Sequence, residues 1–273
     1  MPLPAAPTAG MAWTRDTLVV PLASSSLAAW RITDVQPYWT MHLPAPTHVA
    51  PAIAADTVFA ALEDSRVAAL KLSDGAERWT TTIGGTPREI VAGKDLAVVA
   101  SSDRFVYALK ASSGKLAFSR PSALDVVGVL IDDDRVYVVD LDNTIRAYAH
   151  SGHQKWKKVI DTRVTAPPRM TEHGILLVGA NSTLMLIGVQ GAALGTYSLP
   201  ELAVVTMPPA VIAGSADNAE HVELFVTTQD GLLGLKRKPL PPDAGTDGKT
   251  ATDKPLLEEA DPKPATATPE QPK

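Results

Sequence analysis

The side chains in this sequence best equipped for chemistry are acids and bases gathered in short polar turns, together with six histidines. Asp132-Asp133-Asp134 is the densest acidic run, and a calcium site needs several oxygens converging on one point. Asp140, Asp142 and Asn143 follow shortly after, and two further turns, Asp64-Ser65-Arg66 and Ser102-Asp103-Arg104, set an aspartate beside an arginine. The histidines stand at 42, 48, 150, 153, 173 and 221. Only His150 and His153 are close, and they flank Gly152 rather than share a helix face. There is no H-E-x-x-H pair for zinc, no G-x-S-x-G nucleophile elbow, and no phosphate- or dinucleotide-binding glycine motif. With no cysteine in 273 residues, disulfides, thiolate metal sites and cysteine nucleophiles are excluded. The aspartates fall where a short carboxylate caps its own turn, so they read as turn residues rather than metal ligands. No catalytic, cofactor or metal residue is assigned. What remains is recognition: an exposed arginine can form bidentate hydrogen bonds. Asp64, Arg66, Asp103, Arg104, Asp142 and Asn143 are the candidate partner contacts, with Arg66 and Arg104 foremost.

These turns belong to a repeated element. From Asp56 to Ile83 the chain reads as three short strands, Thr57 to Leu62, Val67 to Leu72 and a third carrying Trp79 and Ile83. Apolar and β-branched runs bounded by Asp, Ser and Gly are the signal for a meander. The first strand recurs at Asp16, Asp56, Asp95, Asp134 and His173, at spacings of 40, 39, 39 and 39 residues, and at His221 after 48. The extra length of the last interval falls in the polar loop 214–218. The second strand recurs in step from Ser26, Arg66, Phe105, Thr144, Thr183 and Leu232, and the third from Tyr38, Arg78, Leu116, Lys155 and Leu194. A shorter apolar segment precedes most copies, as in Pro51 to Ala55 and Glu89 to Gly93. Four strands every ~40 residues is the period of a β-propeller blade. The expected fold class is therefore an all-β propeller of four-stranded antiparallel blades, with about five complete blades and an incomplete sixth. Repeats start near residues 8, 48, 87, 126, 165 and 207.

At the turn into the last strand, Gly75 precedes Trp79 by four residues, Gly114 precedes Phe118, and Gly152 precedes Trp156. In the first copy Trp39 is present but Val35 replaces the glycine. Glycine supplies the positive φ of a tight turn, and the ring packs between neighbouring sheets. These seven residues, Trp39, Gly75, Trp79, Gly114, Phe118, Gly152 and Trp156, are read as blade-docking positions. Here the sequence resembles the PQQ-like β-propeller family, whose blades carry an A-x-D-x-x-x-G-x-x-x-W pattern. Ala69 to Trp79 and Ala108 to Phe118 are variants of it. The resemblance covers about 235 residues and is closest in character to the propeller lipoprotein of the outer-membrane β-barrel assembly machinery. It implies a periplasmic or outer-membrane-associated scaffold binding a protein or peptide partner, without cofactor and without catalysis, as a monomeric propeller. The enzymes of the family hold pyrroloquinoline quinone over calcium beside an aspartate base. No such ligand set can be placed here, and a partial or degenerate quinoprotein, or the sensor domain of a larger protein, are the alternatives.

Composition narrows the rest. A net charge of −5 argues against nucleic acid, which needs a concentrated basic surface. Lys236-Arg237-Lys238 is the one tight basic cluster, and such charges commonly protect a strand edge. No run approaches the ~18 apolar residues of a membrane span, and residues 1–13 lack the basic and apolar regions of a secretory signal. Residues 1–238 read as the propeller, whose sixth copy lacks its outermost strand. Leu3-Pro4-Ala5 aligns with Leu43-Pro44-Ala45, so the missing strand is expected upstream of Met1. Residues 239–273 are rich in proline and lack aromatics. They read as a disordered tail, within which Leu256-Leu257-Glu258-Glu259 is the one candidate recognition element.

Overall fold

The computed structural model of the chain describes residues 3–180, 182–199, 205, 209–211, 222–229, 231–237 and 257–259. The polar loop 214–218, Asp230, Lys238 and most of the 239–273 tail lie outside the described residues. Two compact units divide the chain, Met1–Pro168 and Arg169–Lys273. Among the described residues there is no helix, and hence none long and apolar enough to cross a membrane. The regular structure of the described residues is antiparallel strand, organised as four-stranded meanders of the propeller class.

The first unit contains four such sheets. The first comprises β1 (Ala12–Trp13), β2 (Thr17–Leu22), β3 (Ser26–Arg31) and β4 (Trp39–His42). The second comprises β5 (Ala52–Ala54), β6 (Thr57–Ala61), β7 (Arg66–Lys71) and β8 (Glu77–Thr82). The third is β9 (Pro87–Ala92), β10 (Leu96–Ser101), β11 (Phe105–Lys110) and β12 (Leu116–Pro121). The fourth is β13 (Val126–Ile131), β14 (Arg135–Asp140), β15 (Thr144–Ala149) and β16 (Gln154–Val159). Residues 6–8 also pair beside the first sheet: the Thr8 N–H donates to Pro21 O and the Ala23 N–H to Ala6 O, at 3.0 and 2.8 Å.

The middle strands carry the core because they are covered on both faces, which is why β6 and β10 are continuous apolar runs without alternation. Within such a run, successive residues still serve different neighbours. Val58 and Ala60 pack with Val19, Leu27 and Trp39 of the first sheet, whereas Phe59 and Ala61 pack with Ala97, Val99 and Leu109 of the third. Leu96, Val98 and Ala108 repeat this against Val129, Val136 and Tyr148 of the fourth. Burying each Val or Leu contributes about 1.5–3 kcal/mol. The fourth strands alternate: in β8 and β16 one face is half-buried and the other exposed, as an outer strand requires.

The described residues of the second unit form two sheets. The fifth is β17 (Arg169–Thr171), β18 (Gly174–Gly179), β19 (Thr183–Ile187) and β20 (Ala193–Ser198). The sixth is β21 (Ala210–Val211), β22 (Val222–Thr228), β23 (Gly231–Arg237) and β24 (Leu257–Glu259). β24 comes from the proline-rich tail and pairs antiparallel with β23, so it occupies the fourth position that the repeat alignment leaves open. The sixth sheet is therefore four-stranded rather than incomplete, its outer strand drawn from downstream of β23.

Candidate functional site

Antiparallel topology puts the turns between second and third strands at one end of each sheet, and those between third and fourth strands at the other. The first set contains every residue singled out for partner contact. Its backbone is the same each time. The residue just before the third strand is left-handed: Ser25, Ser65, Arg104, Asn143 and Ser182 have φ of 54°, 69°, 65°, 58° and 53°. The carbonyl of each accepts an N–H from the end of the fourth strand, from Leu43, Ile83, Ser122, Ile160 and Leu199, at 2.7–2.8 Å. The turn and the exit of the outer strand are thus tied together, and each turn presents its side chains from a fixed frame.

What the turns present differs. At β6–β7 the Asp64 carboxylate accepts from Arg66 Nε at 2.7 Å and also from Nη2. The Arg66 hydrogen bond holds the Asp64 carboxyl below the usual carboxylate range, and Asp64 raises the guanidinium in return. Arg66 is therefore occupied within its own turn. Beside it His48 Nε2 lies 2.9 Å from Glu63. At β10–β11 the Asp103 carboxylate accepts from the Phe105 N–H at 3.0 Å and the Tyr107 hydroxyl at 2.6 Å. Burial and the Asp103 hydrogen bond push the Tyr107 hydroxyl up to about 12. The Arg104 side chain is exposed and, among the described residues, takes part in no hydrogen bond or ion pair. Asp103 and Arg104, adjacent in sequence, are not brought together.

The fourth sheet contributes a network that the sequence reading did not single out as a unit. Arg146 bridges Asp140 and Asp142, reaching the latter at 2.9 Å, and Ser122 Oγ donates to Asp140 at 2.5 Å. Burial pushes the Asp140 carboxyl up, while Ser122 and Arg146 pull it back. For Asp142 burial raises the carboxyl, but hydrogen bonds from Thr144 and Arg146 outweigh it and leave it below the ordinary range. Asn143 serves as the left-handed residue of the turn. A signal for this network did exist: Asp140 stands in the column filled elsewhere by Leu22, Leu62 and Ser101, and an aspartate there needs a buried partner.

At the opposite end of the strands, a polar cleft of about 330 Å³ is lined by Lys94, Asp95, Asp133 and His150. His150 Nε2 lies 3.1 Å from the Asp132 carbonyl and its Nδ1 4.0 Å from Asp95. The Asp132 side chain is committed to its turn, accepting from the Asp134 and Arg135 N–H groups and the Tyr137 hydroxyl. Among the described residues no three His, Cys, Asp or Glu side chains converge as metal ligands would.

The docking residues lie at this second end as well, with a pairing that spacing alone does not give. Gly75, Gly114 and Gly152 have φ of +73°, +68° and +84°, but each receives the ring of the preceding sheet. A Cβ would lie 2.9 Å from Trp39 at Gly75, 2.5 Å from Trp79 at Gly114 and 2.7 Å from Phe118 at Gly152. The indole N–H of Trp39 donates to Leu72 O at 2.8 Å and that of Trp79 to Ala111 O at 2.9 Å. The Phe118 ring has no N–H; two residues on, Arg120 donates to Gly152 O at 3.1 and 2.5 Å and lies over the Phe118 and Tyr148 rings. A β-bulge precedes the docking position in the second to fourth sheets, opposite Ala69/Leu70, Ala108/Leu109 and Ala147/Tyr148.

The model of the family described as outer membrane protein assembly factor BamB matches residues 2–88 and 63–201. Among solved structures the chain is similar to BamB from Moraxella catarrhalis, with TM-score 0.65 and 14% identity over 83% of this chain and 69% of that one. It is similar also to the computationally designed Ika8 protein, with TM-score 0.66 and 14% identity over 85% and 70%. A third similar structure is BBS1N in complex with ARL6DN, with TM-score 0.68 and 18% identity over 90% and 81%. At these identities the likeness shows the fold alone. No curated protein matches the chain in sequence.

Proposed function

The chain belongs to the family of the outer membrane protein assembly factor BamB, and we propose that it is a non-catalytic propeller scaffold that binds a protein partner in the bacterial cell envelope. The observation that carries this reading is the family match across 2–201, which takes in all four sheets of the first unit. The turns support it. Their backbone frame repeats, and the Asp64, Asp103, Asp140 and Asp142 carboxylates are engaged within it while the Arg104 side chain is exposed, an arrangement suited to recognition. The similar BBS1N structure is itself that of a complex with a protein. The partner class we assign is another component of the outer-membrane assembly machinery, and Arg104 is its principal contact.

The test is calorimetric titration of the chain with the purified periplasmic domain of the machinery's barrel subunit. Binding is expected, weakened at least about tenfold by Arg104→Glu and less than about threefold by Arg66→Glu. Absence of binding, combined with a stoichiometric absorbance change on titration with pyrroloquinoline quinone and calcium, would replace this reading with the quinoprotein one.

A further inference from the structure

The first sheet fills the blade-docking position differently from the second and third. In the second sheet Ile53 and Leu72 lie beneath Tyr38 and Trp39, whose hydroxyl and indole N–H both donate to Leu72 O at 2.8 Å. In the third, Ala92 and Ala111 take the same two positions, and Trp79 Nε1 donates to Ala111 O at 2.9 Å. Trp13 and Ile32 are their counterparts in the first sheet. Trp13 pairs with Leu18 as Ile53 does with Val58, and the Ile32 N–H donates to Asp16 O at 2.9 Å as that of Leu72 does to Asp56 O at 2.8 Å. Leu18 pairs in turn with Trp30, so Trp13, Leu18 and Trp30 share one side of the sheet, and Ile32, two residues past Trp30, continues it. On that side Val20 and Trp30 are each 1% exposed, whereas Trp13 is 71% and Ile32 65% exposed. Met11, two residues before Trp13, is 47% exposed, and Val35, in the turn after Ile32, is 63% exposed. The apolar side of the first sheet thus emerges into solvent at one end, away from the Ser25 turn.

Large apolar side chains gathered at protruding turns mark an interaction surface, and the residues around them narrow its occupant. A blade-like surface is disfavoured. Val35 stands where the second and third sheets have Gly75 and Gly114, and a Cβ at those glycines would lie 2.9 and 2.5 Å from the incoming ring. The exposed residues stand out from two turns instead of lining a groove, which a soft lipid layer accommodates and a rigid partner would have to be shaped for. Their polar neighbours suit a bilayer too. Arg15, two residues after Trp13, and Arg31, immediately before Ile32, are exposed, with the Arg31 guanidinium 5.7 Å from the Tyr38 ring centroid. The short acids are engaged in their own turns: Asp16 accepts from the Thr14 and Thr17 hydroxyls and Asp34 from that of Thr33, all at 3.2 Å. An indole beside a guanidinium settles at the headgroup level of a membrane, with the ring against the upper acyl chains and the charge at the phosphates. We propose that this end of the first sheet is a membrane-contact surface. Trp13, Ile32 and Val35 enter the headgroup layer of a bilayer containing anionic phospholipid, and Arg15 meets its phosphates. The surface lies at the other end of the strands from the turns assigned to a protein partner and does not depend on that assignment.

The experiment is co-sedimentation of the full chain with vesicles of phosphatidylethanolamine and phosphatidylglycerol, mixed at roughly 3:1 and present at millimolar lipid. The wild type is expected to pellet with the vesicles. Trp13→Ser/Ile32→Ser should bind at least about tenfold more weakly, and Arg15→Glu about fivefold more weakly. Val159→Ser should bind as the wild type does, since it removes a side chain of matching exposure, 65%, from the other end of the strands. Tryptophan fluorescence gives a readout that a merely structural role would not move. Dibrominated lipid should quench the wild type, and Trp13→Phe should retain binding within about threefold while losing that quenching. Failure of the wild type to pellet, or equal pelleting of Trp13→Ser/Ile32→Ser, would overturn the membrane surface. An equal loss in Val159→Ser, or quenching that persists in Trp13→Phe, would overturn it as well, because the contact would then lie elsewhere. A wild-type dimer that Trp13→Ser/Ile32→Ser abolishes, without vesicle binding, would replace lipid by a second copy as the occupant.

Discussion

The β6–β7 and β10–β11 turns have one backbone and opposite uses of arginine. In the first, Ser65 takes the left-handed position and Arg66, one residue later, folds back onto Asp64. In the second, Arg104 itself is left-handed, and Asp103 is already engaged by the Phe105 N–H and the Tyr107 hydroxyl. A shift of one register position decides whether the guanidinium is consumed inside the turn or offered to solvent. The teaching is that a turn's composition, Asp with Arg in both, does not determine what it can bind; the position of each residue in the hydrogen-bonded frame does.

The largest effect is expected where the second and third sheets, which carry these two turns, pack on each other. Gly114→Val puts a branched side chain on a left-handed backbone against Trp79, and is expected to lower the unfolding free energy by about 3 kcal/mol or more in urea titration. A more pointed test removes each turn's carboxylate. Asp103→Ala leaves the partly buried Tyr107 hydroxyl and the Phe105 N–H without an acceptor, a loss of about 1–3 kcal/mol. Asp64→Ala removes only a partly exposed ion pair and should cost less than about 1 kcal/mol. Equal losses in the two variants would erase the distinction.

Alkaline titration sharpens it further. The Tyr107 hydroxyl sits at about 12 in the fold and near 10 in the unfolded chain. The native state therefore holds this proton longer, and stability from this group is complete below about pH 10 and lost as pH rises toward 12. Tyr107→Phe should flatten that part of the stability profile and delete one high-pH phenolate transition from the absorbance titration. The smallest effect belongs to Arg104→Gly. Relief of a left-handed non-glycine residue and the added freedom of the unfolded chain roughly cancel, so melting should move by no more than about 0.5 kcal/mol equivalent. Partner binding should nonetheless weaken, separating the role of Arg104 in recognition from any role in the fold.

The fold was legible because the ~40-residue period, the apolar runs and the turn residues all point to one architecture. Thr57 to Leu62 could be taken as a covered strand from its composition alone. The docking partners were half legible. Gly75 and Trp79 stand out at a fixed spacing, yet Gly75 receives Trp39, because intrachain spacing records the repeat and not the neighbour it packs against. Arg120 could not be found this way, since its need arises only where Phe118 lacks the indole N–H. The candidate turns were visible as sequences, but the fate of Arg66 and Arg104 depends on φ at Ser65 and Arg104, which no local pattern sets. β24 was the hardest to see: its three residues lie in a proline-rich segment, 19 residues beyond the strand they join.

In the proposed function the turns before the third strands meet the partner, while the glycine turns at the other end of the same strands hold the blades together. Hydrogen–deuterium exchange, with and without the assembly-machinery partner, reads both ends in one experiment. Slowed exchange is expected across Ser102 to Phe105 in the complex, with no change across Ala111 to Lys115. Protection confined to Ala111–Lys115, or spread equally over the two turns, would contradict it.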